Sequence, residues 1–303
     1  MLIAILLSFS PLQACYAQSK NTDTLSANAP PSQNFDLSYW NLSIPTDSDG
    51  DGNADTISEA KLNQGFQNSE YFYTGSDGGM VFKVPIKGFK TSKNTSYIRT
   101  ELREMLRRGD TSIATKDKSG IPNKNNWVLS SAPKKTQKLA GAVDGVLEAT
   151  LAVNHVTTTG RDREMGRVII GQIHTKKDEP IRLYYHKRPE NKRGWVYAAH
   201  EPAGKKDQYF DLIGRRGDQD PKDGIALDEK FSYKIVAKGN KLHVTISDSN
   251  GKRRAKQTIN MSRSNYDVKD DFMYFKAGAY NQNKSGRDDD YAQATFYKLS
   301  ATH

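Results

Sequence analysis

Apolar side chains recur at every second position over long stretches of this chain, a period that an extended strand satisfies and a helix does not. Leu147, Ala149, Leu151 and Val153 share one face, set against Glu148, Thr150, Ala152 and Asn154. Phe231, Tyr233, Ile235 and Ala237 alternate with Ser232, Lys234 and Val236, and Leu242, Val244 and Ile246 resume the pattern after Gly239-Asn240. Residues 231–237 and 241–248 are therefore expected to form a hairpin. Tyr39, Trp40, Leu42 and Ile44 supply the first apolar strand. Helical periodicity is confined to short candidates at 56–63 and 225–230. Many strands joined by polar, glycine-bearing turns imply an all-β fold, a sandwich or a barrel.

The chain has 303 residues, enough to bury a full core, and no repeat or second linker divides it. Residues 36–303 read as one domain. No apolar run reaches the ~18 residues of a transmembrane helix, so none is expected. Residues 1–17 have no charged side chain and an apolar run from Met1 to Phe9, the composition of an export signal. The expected location is secreted or periplasmic. Leu12-Gln13-Ala14-Cys15 also resembles a lipobox, which leaves an outer-membrane lipoprotein anchored through Cys15 as the alternative. Residues 18–35 are polar and rich in Pro, Ser and Asn, and read as a flexible tether. Beyond residue 17 there is no cysteine, which excludes a cysteine nucleophile and thiolate-bound zinc. A monomer is expected.

Three segments carry chemistry on one face. In the first, Ile98, Leu102 and Leu106 lie opposite Arg99, Glu101, Arg103 and Met105. Alternating charges suit any solvated face, but an Arg-Glu-Arg line also suits a groove floor in which the glutamate holds guanidinium forks toward an anion. In the second, Gln172 and His174 share a face while Ile169 and Ile173 point to the core. In the third, Phe275, Ala277 and Ala279 form a core face, with Tyr274, Lys276, Tyr280 and Gln282 opposite. Gly278 is expected to leave room for a ligand. Arg, Gln, His, Tyr and Lys together suit proton abstraction beside a carboxylate. That reaction needs the carboxylate charge quenched, a base near the proton and an acid near the leaving oxygen.

RTELREM at 99–105, QIH at 172–174 and YFKAGAYNQ at 274–282 resemble the signature blocks of the alginate lyases of polysaccharide lyase family 7. WNLSIP at 40–45 is similar to that family's first strand, and the resemblance runs from residue 36 to about residue 298. It implies a β-jelly roll of two antiparallel sheets whose concave face binds alginate, with no cofactor or metal in the chemistry. By this resemblance Arg99 and Gln172 bind the substrate carboxylate, and His174 acts as base or helps neutralise it. Tyr280 is the catalytic tyrosine. Glu101, Arg103, Lys276, Asn281 and Gln282 match positions that line or brace the groove. In that family QIH, as opposed to QVH, goes with activity on guluronate-containing or mixed stretches, so Ile173 implies that preference.

The charge balance, 45 Lys+Arg against 35 Asp+Glu for a formal +10, suits a polyanion. It would equally suit nucleic acid, but no zinc finger, helix-turn-helix or clamp motif is present and no nucleic-acid partner is expected. An inert carbohydrate-binding sandwich is the other alternative. Asp47, Asp49 and Asp51 have the spacing of a calcium loop, but Ser58 stands at the twelfth position, so only a structural Ca²⁺ is entertained. His155, His186, His200 and His243 receive no role, and His303 is expected to be disordered.

Overall fold

The computed structural model describes residues 24–117 and 119–303; the expected export signal and Cys15 lie outside the described residues. Among the described residues three short helices occur, α1 (Pro31–Asn34), α2 (Glu59–Asn63) and α3 (Lys134–Leu139). Among the described residues no helix is long and apolar enough to cross a membrane. The first strands are β1 (Trp40–Ile44), β2 (Asp55–Ile57), β3 (Phe72–Thr74), β4 (Met80–Pro85), β5 (Arg99–Glu104) and β6 (Trp127–Val128). Next come β7 (Ala142–Val143), β8 (Gly145–His155), β9 (Arg167–His174), β10 (Ile181–His186), β11 (Arg193–His200) and β12 (Gln208–Ile213). The last are β13 (Ile225–Ala226), β14 (Phe231–Lys238), β15 (Lys241–Asp248), β16 (Arg253–Asn260), β17 (Tyr274–Asn281) and β18 (Tyr291–Thr302).

Two large antiparallel sheets result. One runs β12-β11-β10-β9-β17-β5-β1-β2 with β13 attached to β11, and the other runs β16-β15-β14-β8-β18-β4-β3. The chain crosses between them repeatedly, as a jelly roll requires. The core is where the period-2 faces meet. Leu147, Leu151 and Val153 of β8, Phe231, Tyr233 and Ile235 of β14, and Phe82 and Phe296 pack on Leu102, Ile170, Ile173, Leu183, Phe275 and Ala279. The hairpin forms as expected, Phe231 pairing with Asp248 and Lys238 with Lys241. Tyr233 ties the two layers together by donating its hydroxyl to the Ile170 carbonyl at 3.0 Å. That approach requires Gly171, since a Cβ there would stand 2.7 Å from the Tyr233 oxygen.

Several expectations are corrected. Residues 24–35, assigned to the tether, follow a defined path: Leu25 packs on the core, and Asn34 exchanges hydrogen bonds with Ser26 and donates to the Gly78 carbonyl. Polar composition permits order when each polar group finds a partner. Of the helix expected at 56–63 only α2 forms, because Asp55–Ile57 pairs with β1. No helix forms at 225–230; Ile225 and Ala226 pair with β11, and Asp228 takes a left-handed φ of 63° that ends any helical path. Ile169 leaves the main core. Irregular pairing of β9 with both β10 and β17 turns Ile169 toward Tyr184, Trp195, Tyr197 and Tyr280, while Ile173 stays inside. Gly278 serves the strands themselves: a Cβ there would lie 2.7 Å from the Thr100 carbonyl oxygen, so the glycine admits β5 and not a ligand. His303 is ordered, its Nε2 2.8 Å from Glu104 Oε1 and its ring against Trp127 and Phe275.

Candidate active site

The three chemistry-bearing segments become adjacent strands, in the order β9-β17-β5. Register then sets the neighbours. Tyr280 pairs with Arg99, Gly278 with Glu101, Lys276 with both Arg103 and Gln172, and Tyr274 with His174. Side chains two apart on each strand thus build one patch from three distant parts of the chain.

Glu101 is the centre of that patch and is almost wholly buried, with 1% exposure. Its carboxylate accepts from Arg99 Nη1 at 2.9 Å, from Lys276 Nζ and from Gln172 Nε2. Burial opposes the charge, but Lys276 and Arg99 outweigh it and hold the Glu101 carboxyl below its usual range. Lys276 is pulled down to about 8 by its own burial and by Arg99, with Glu101 only partly offsetting them. Arg99 places its guanidinium 3.7 Å from the centre of the Tyr280 ring. After these contacts Arg99 Nε and Gln172 Oε1 have no partner. Burial pushes the Tyr280 phenol up and Arg99 moderates the shift, so the hydroxyl keeps its proton at neutral pH.

His174 lies beside this cluster. Its ring stacks on Tyr274 at 5.2 Å and 9°, and Arg103 covers Tyr274 with its guanidinium 4.0 Å from the ring centre. Arg103 also donates to the Thr115 carbonyl, so it braces the ring stack. Beyond Tyr280 the apolar wall continues through Ile169, Tyr184, Trp195 and Tyr197.

Arg99, Glu101, Arg103, Gln172, His174, Lys276 and Tyr280 therefore converge, with Glu101 and Lys276 beneath Arg99 and not lining open space. Asn281 departs from the groove-lining expectation. It is fully buried, donates to the Pro85 carbonyl at 3.1 Å and accepts from Asn283 N–H at 3.1 Å, because an odd position puts it opposite Tyr280. Gln282 is buried, its Nε2 donating to the Asn281 carbonyl at 3.4 Å and its backbone N–H to the Arg167 carbonyl at 3.0 Å. Sequence reasoning missed Glu179, whose Oε1 lies 3.2 Å from His174 Nε2. Nothing in the polar turn that carries it distinguishes it from a solvated loop. Tyr97, edge-on to Tyr280 at 6.3 Å, was missed for the same reason.

Apart from this patch, Asp47, Asp49 and Asp51 bring carboxylate oxygens within 4.8 Å of one another. Asp47 Oδ1 is buried with no hydrogen-bond partner, and hard oxygen donors so placed fit a structural Ca²⁺.

The alginate lyase family matches this chain over residues 35–303. The chain belongs to that family. An alginate lyase from Klebsiella pneumoniae is 56% identical over 284 residues, covering 90% of this chain and 91% of the relative. The crystal structure of the alginate lyase from Klebsiella pneumoniae superposes with a TM-score of 0.86 at 55% identity, over 90% of this chain and 98% of that one. More distant alginate lyases keep the architecture. One from Pseudomonas aeruginosa is 29% identical with a TM-score of 0.64, over 88% and 99% of the two chains. A member of polysaccharide lyase family 7 is 25% identical with the same TM-score, over 91% and 99%. The fold and the match both make this chain an alginate lyase of that family.

Proposed function

We propose that this lyase holds alginate across β5, β17 and β9 and cleaves it by β-elimination through Arg99, Gln172, His174 and Tyr280. The C5 proton of a uronate is hard to remove while the C6 carboxylate carries full charge. Arg99, through the part of its guanidinium not held by Glu101, and Gln172, with a second N–H beyond the one on Glu101, would take that carboxylate and favour the enolate-like state as charge moves onto its oxygens. Tyr280, kept protonated, would donate to the O4 leaving oxygen. His174 or Tyr280 would remove the C5 proton, the tyrosine doing both where proton and leaving group are syn, as in mannuronate, and the histidine where they are anti, as in guluronate. The products carry a 4,5-unsaturated uronate at the new non-reducing end. The observation that carries this reading is the pairing of Arg99 opposite Tyr280 with Gln172 linked through Glu101.

Guluronate-containing or mixed stretches are the preferred substrate in this reading. Ile173 is fully buried and pairs with Phe275 and Ile181, so it would act only by shifting the strand that carries Gln172 and His174. The export reading of residues 1–17 puts the enzyme outside the cytoplasm, secreted or periplasmic, where a polymer can reach it. Incubation with polyguluronate, polymannuronate and mixed alginate tests the assignment through the ultraviolet absorbance of the new double bond. Alginate binding without that absorbance would instead identify an inert sandwich.

A further inference from the structure

Past Tyr280 the groove face changes from apolar to cationic. Ile169 of β9 pairs with Tyr280, and Arg167 stands two residues further along β9. That step is about 7 Å of strand, comparable with one sugar of a polymer. Cross-strand pairing sets Arg167 beside His186 of β10, and His186 beside Trp195 of β11. Alternation turns Tyr184, Trp195 and Tyr197 to this face while Leu183, Tyr185 and Val196 stay in the core. Tyr184 and Tyr197 stack at 4.7 Å, and the His186 and Trp195 rings lie 4.4 Å apart. This aromatic bed carries two guanidiniums. Arg167 lies 5.5 Å from the Tyr184 ring centre, and Arg188, just past β10, lies 6.0 Å from that of Trp195. The rings are buried and the arginines only partly so, which leaves guanidinium as the chemistry presented here.

What distinguishes the patch is uncompensated charge. Arg182 faces Glu201 and Asp207, and Arg161 and Arg163 face Glu164, but among the described residues neither Arg167 nor Arg188 has a carboxylate partner. Arg167 donates to the Arg163 carbonyl at 2.8 Å, and the titratable groups around it are tyrosines. Burial, with the charges of Arg167 and Arg188, brings His186 down to about 3, so the imidazole is neutral. A part-buried cation without a counter-ion is unfavourable, and an anion at its outer nitrogens offsets that penalty.

We propose that Arg167 and Arg188, braced by Tyr184 and Trp195, form a carboxylate-binding subsite for a uronate that flanks the one being cleaved. The inference rests on the reading of β5, β17 and β9 as the alginate groove given above. A guanidinium presents paired N–H donors to the two oxygens of a carboxylate, and contact with a ring limits the freedom it gives up on binding. The subsite touches no reacting atom, so it acts on affinity for longer chains and not on the chemical step.

The test measures binding of alginate oligomers, from disaccharide to hexasaccharide, to the full chain carrying Tyr280→Phe, so that binding is read without turnover. Affinity should rise with length, with one step where the oligomer reaches the subsite. Adding Arg167→Gln or Arg188→Gln should remove that step, raising Kd for the hexasaccharide about tenfold and for the disaccharide much less. The loss should shrink at high ionic strength. Arg167→Lys should recover only part of the affinity, because an ammonium lacks the paired donors. Arg188 lies outside the strands, so Arg188→Gln carries the test if Arg167→Gln does not fold. Without Tyr280→Phe, either Gln variant should raise KM for the polymer more than it lowers kcat. Unchanged Kd at every length would overturn the proposal. A loss as large on the disaccharide as on the hexasaccharide would overturn it too, since it marks distortion of the catalytic centre. If the parent cleaves alginate and Tyr280→Phe does not, these failures leave the catalytic assignment intact. A parent that neither binds nor cleaves alginate would remove that reading and this subsite with it.

Discussion

Tyr280 illustrates how one hydroxyl acquires its task from its surroundings. Burial keeps the phenol protonated, and the Arg99 guanidinium over the ring fixes its orientation. Tyr280→Phe keeps the ring and that stacking while removing the proposed proton donor. Turnover should fall about 10²–10⁴-fold, with thermal unfolding and alginate binding close to those of the parent. Near-normal turnover would move the acid elsewhere. Arg99→Lys should be impaired almost as severely, because an ammonium cannot address Glu101 and a substrate carboxylate together as the guanidinium fork does. Measured kcat/KM near the parent value would place the carboxylate clamp on another residue. Lys276 carries the opposite lesson. Expected to line or brace the groove, it lies buried against Glu101, so its effect passes through the position of Arg99.

Among the elements, β9 decides most. It holds Gln172 and His174 toward the groove and Ile173 inside, while its irregular pairing sends Ile169 to the groove wall. If Ile173 sets substrate preference through strand position, Ile173→Val should lower the ratio of guluronate to mannuronate kcat/KM at a stability cost of about 1 kcal/mol. Initial rates on block-pure polymers measure that ratio, and an unchanged value would leave preference to the loops around the groove. The 47–55 loop belongs to this scale as well. Asp47 Oδ1 has no partner of its own, so added Ca²⁺ should raise the unfolding temperature and a chelator should reverse the gain. Asp49→Asn should blunt the response, and a melting curve indifferent to Ca²⁺ would leave the loop an acidic turn.

At the scale of the molecule, the carboxyl terminus locks the sandwich. Glu104 accepts from His303 Nε2 at 2.8 Å, from Trp127 Nε1 at 3.0 Å and from the Phe275 N–H at 3.0 Å, joining the last residue to β5, β6 and β17. Burial opposes the His303 charge, but Glu104 prevails and raises the imidazole above its ordinary 6.5. The folded protein therefore binds this proton more tightly than the unfolded chain does. The stabilisation is complete below the ordinary imidazole range and is lost as pH rises through the raised value. His303→Ala should cost about 1–3 kcal/mol in mildly acid solution and less in alkaline solution. Equal denaturation midpoints for parent and variant at acid pH would show that the terminus contributes nothing.

What the sequence determined by itself is whatever depends on period and residue type. Alternation places Leu147, Tyr233, Ile246 and Phe275 in the core because a strand's side chains must point alternately to two sides, and that same rule turned Arg99, Gln172, His174 and Tyr280 outward. Only the tertiary structure decided which of those outward faces meet. The order β9-β17-β5 brings together residues up to 181 positions apart, from Arg99 to Tyr280, and no local pattern encodes a partner at that distance. The same holds for Glu179, Asn281 and His303. Each has a side chain whose use is set by what lies across from it: an imidazole, the Pro85 carbonyl and a buried glutamate. Hydrogen bonds and charges act over a few ångströms of space, without regard to the length of chain between them.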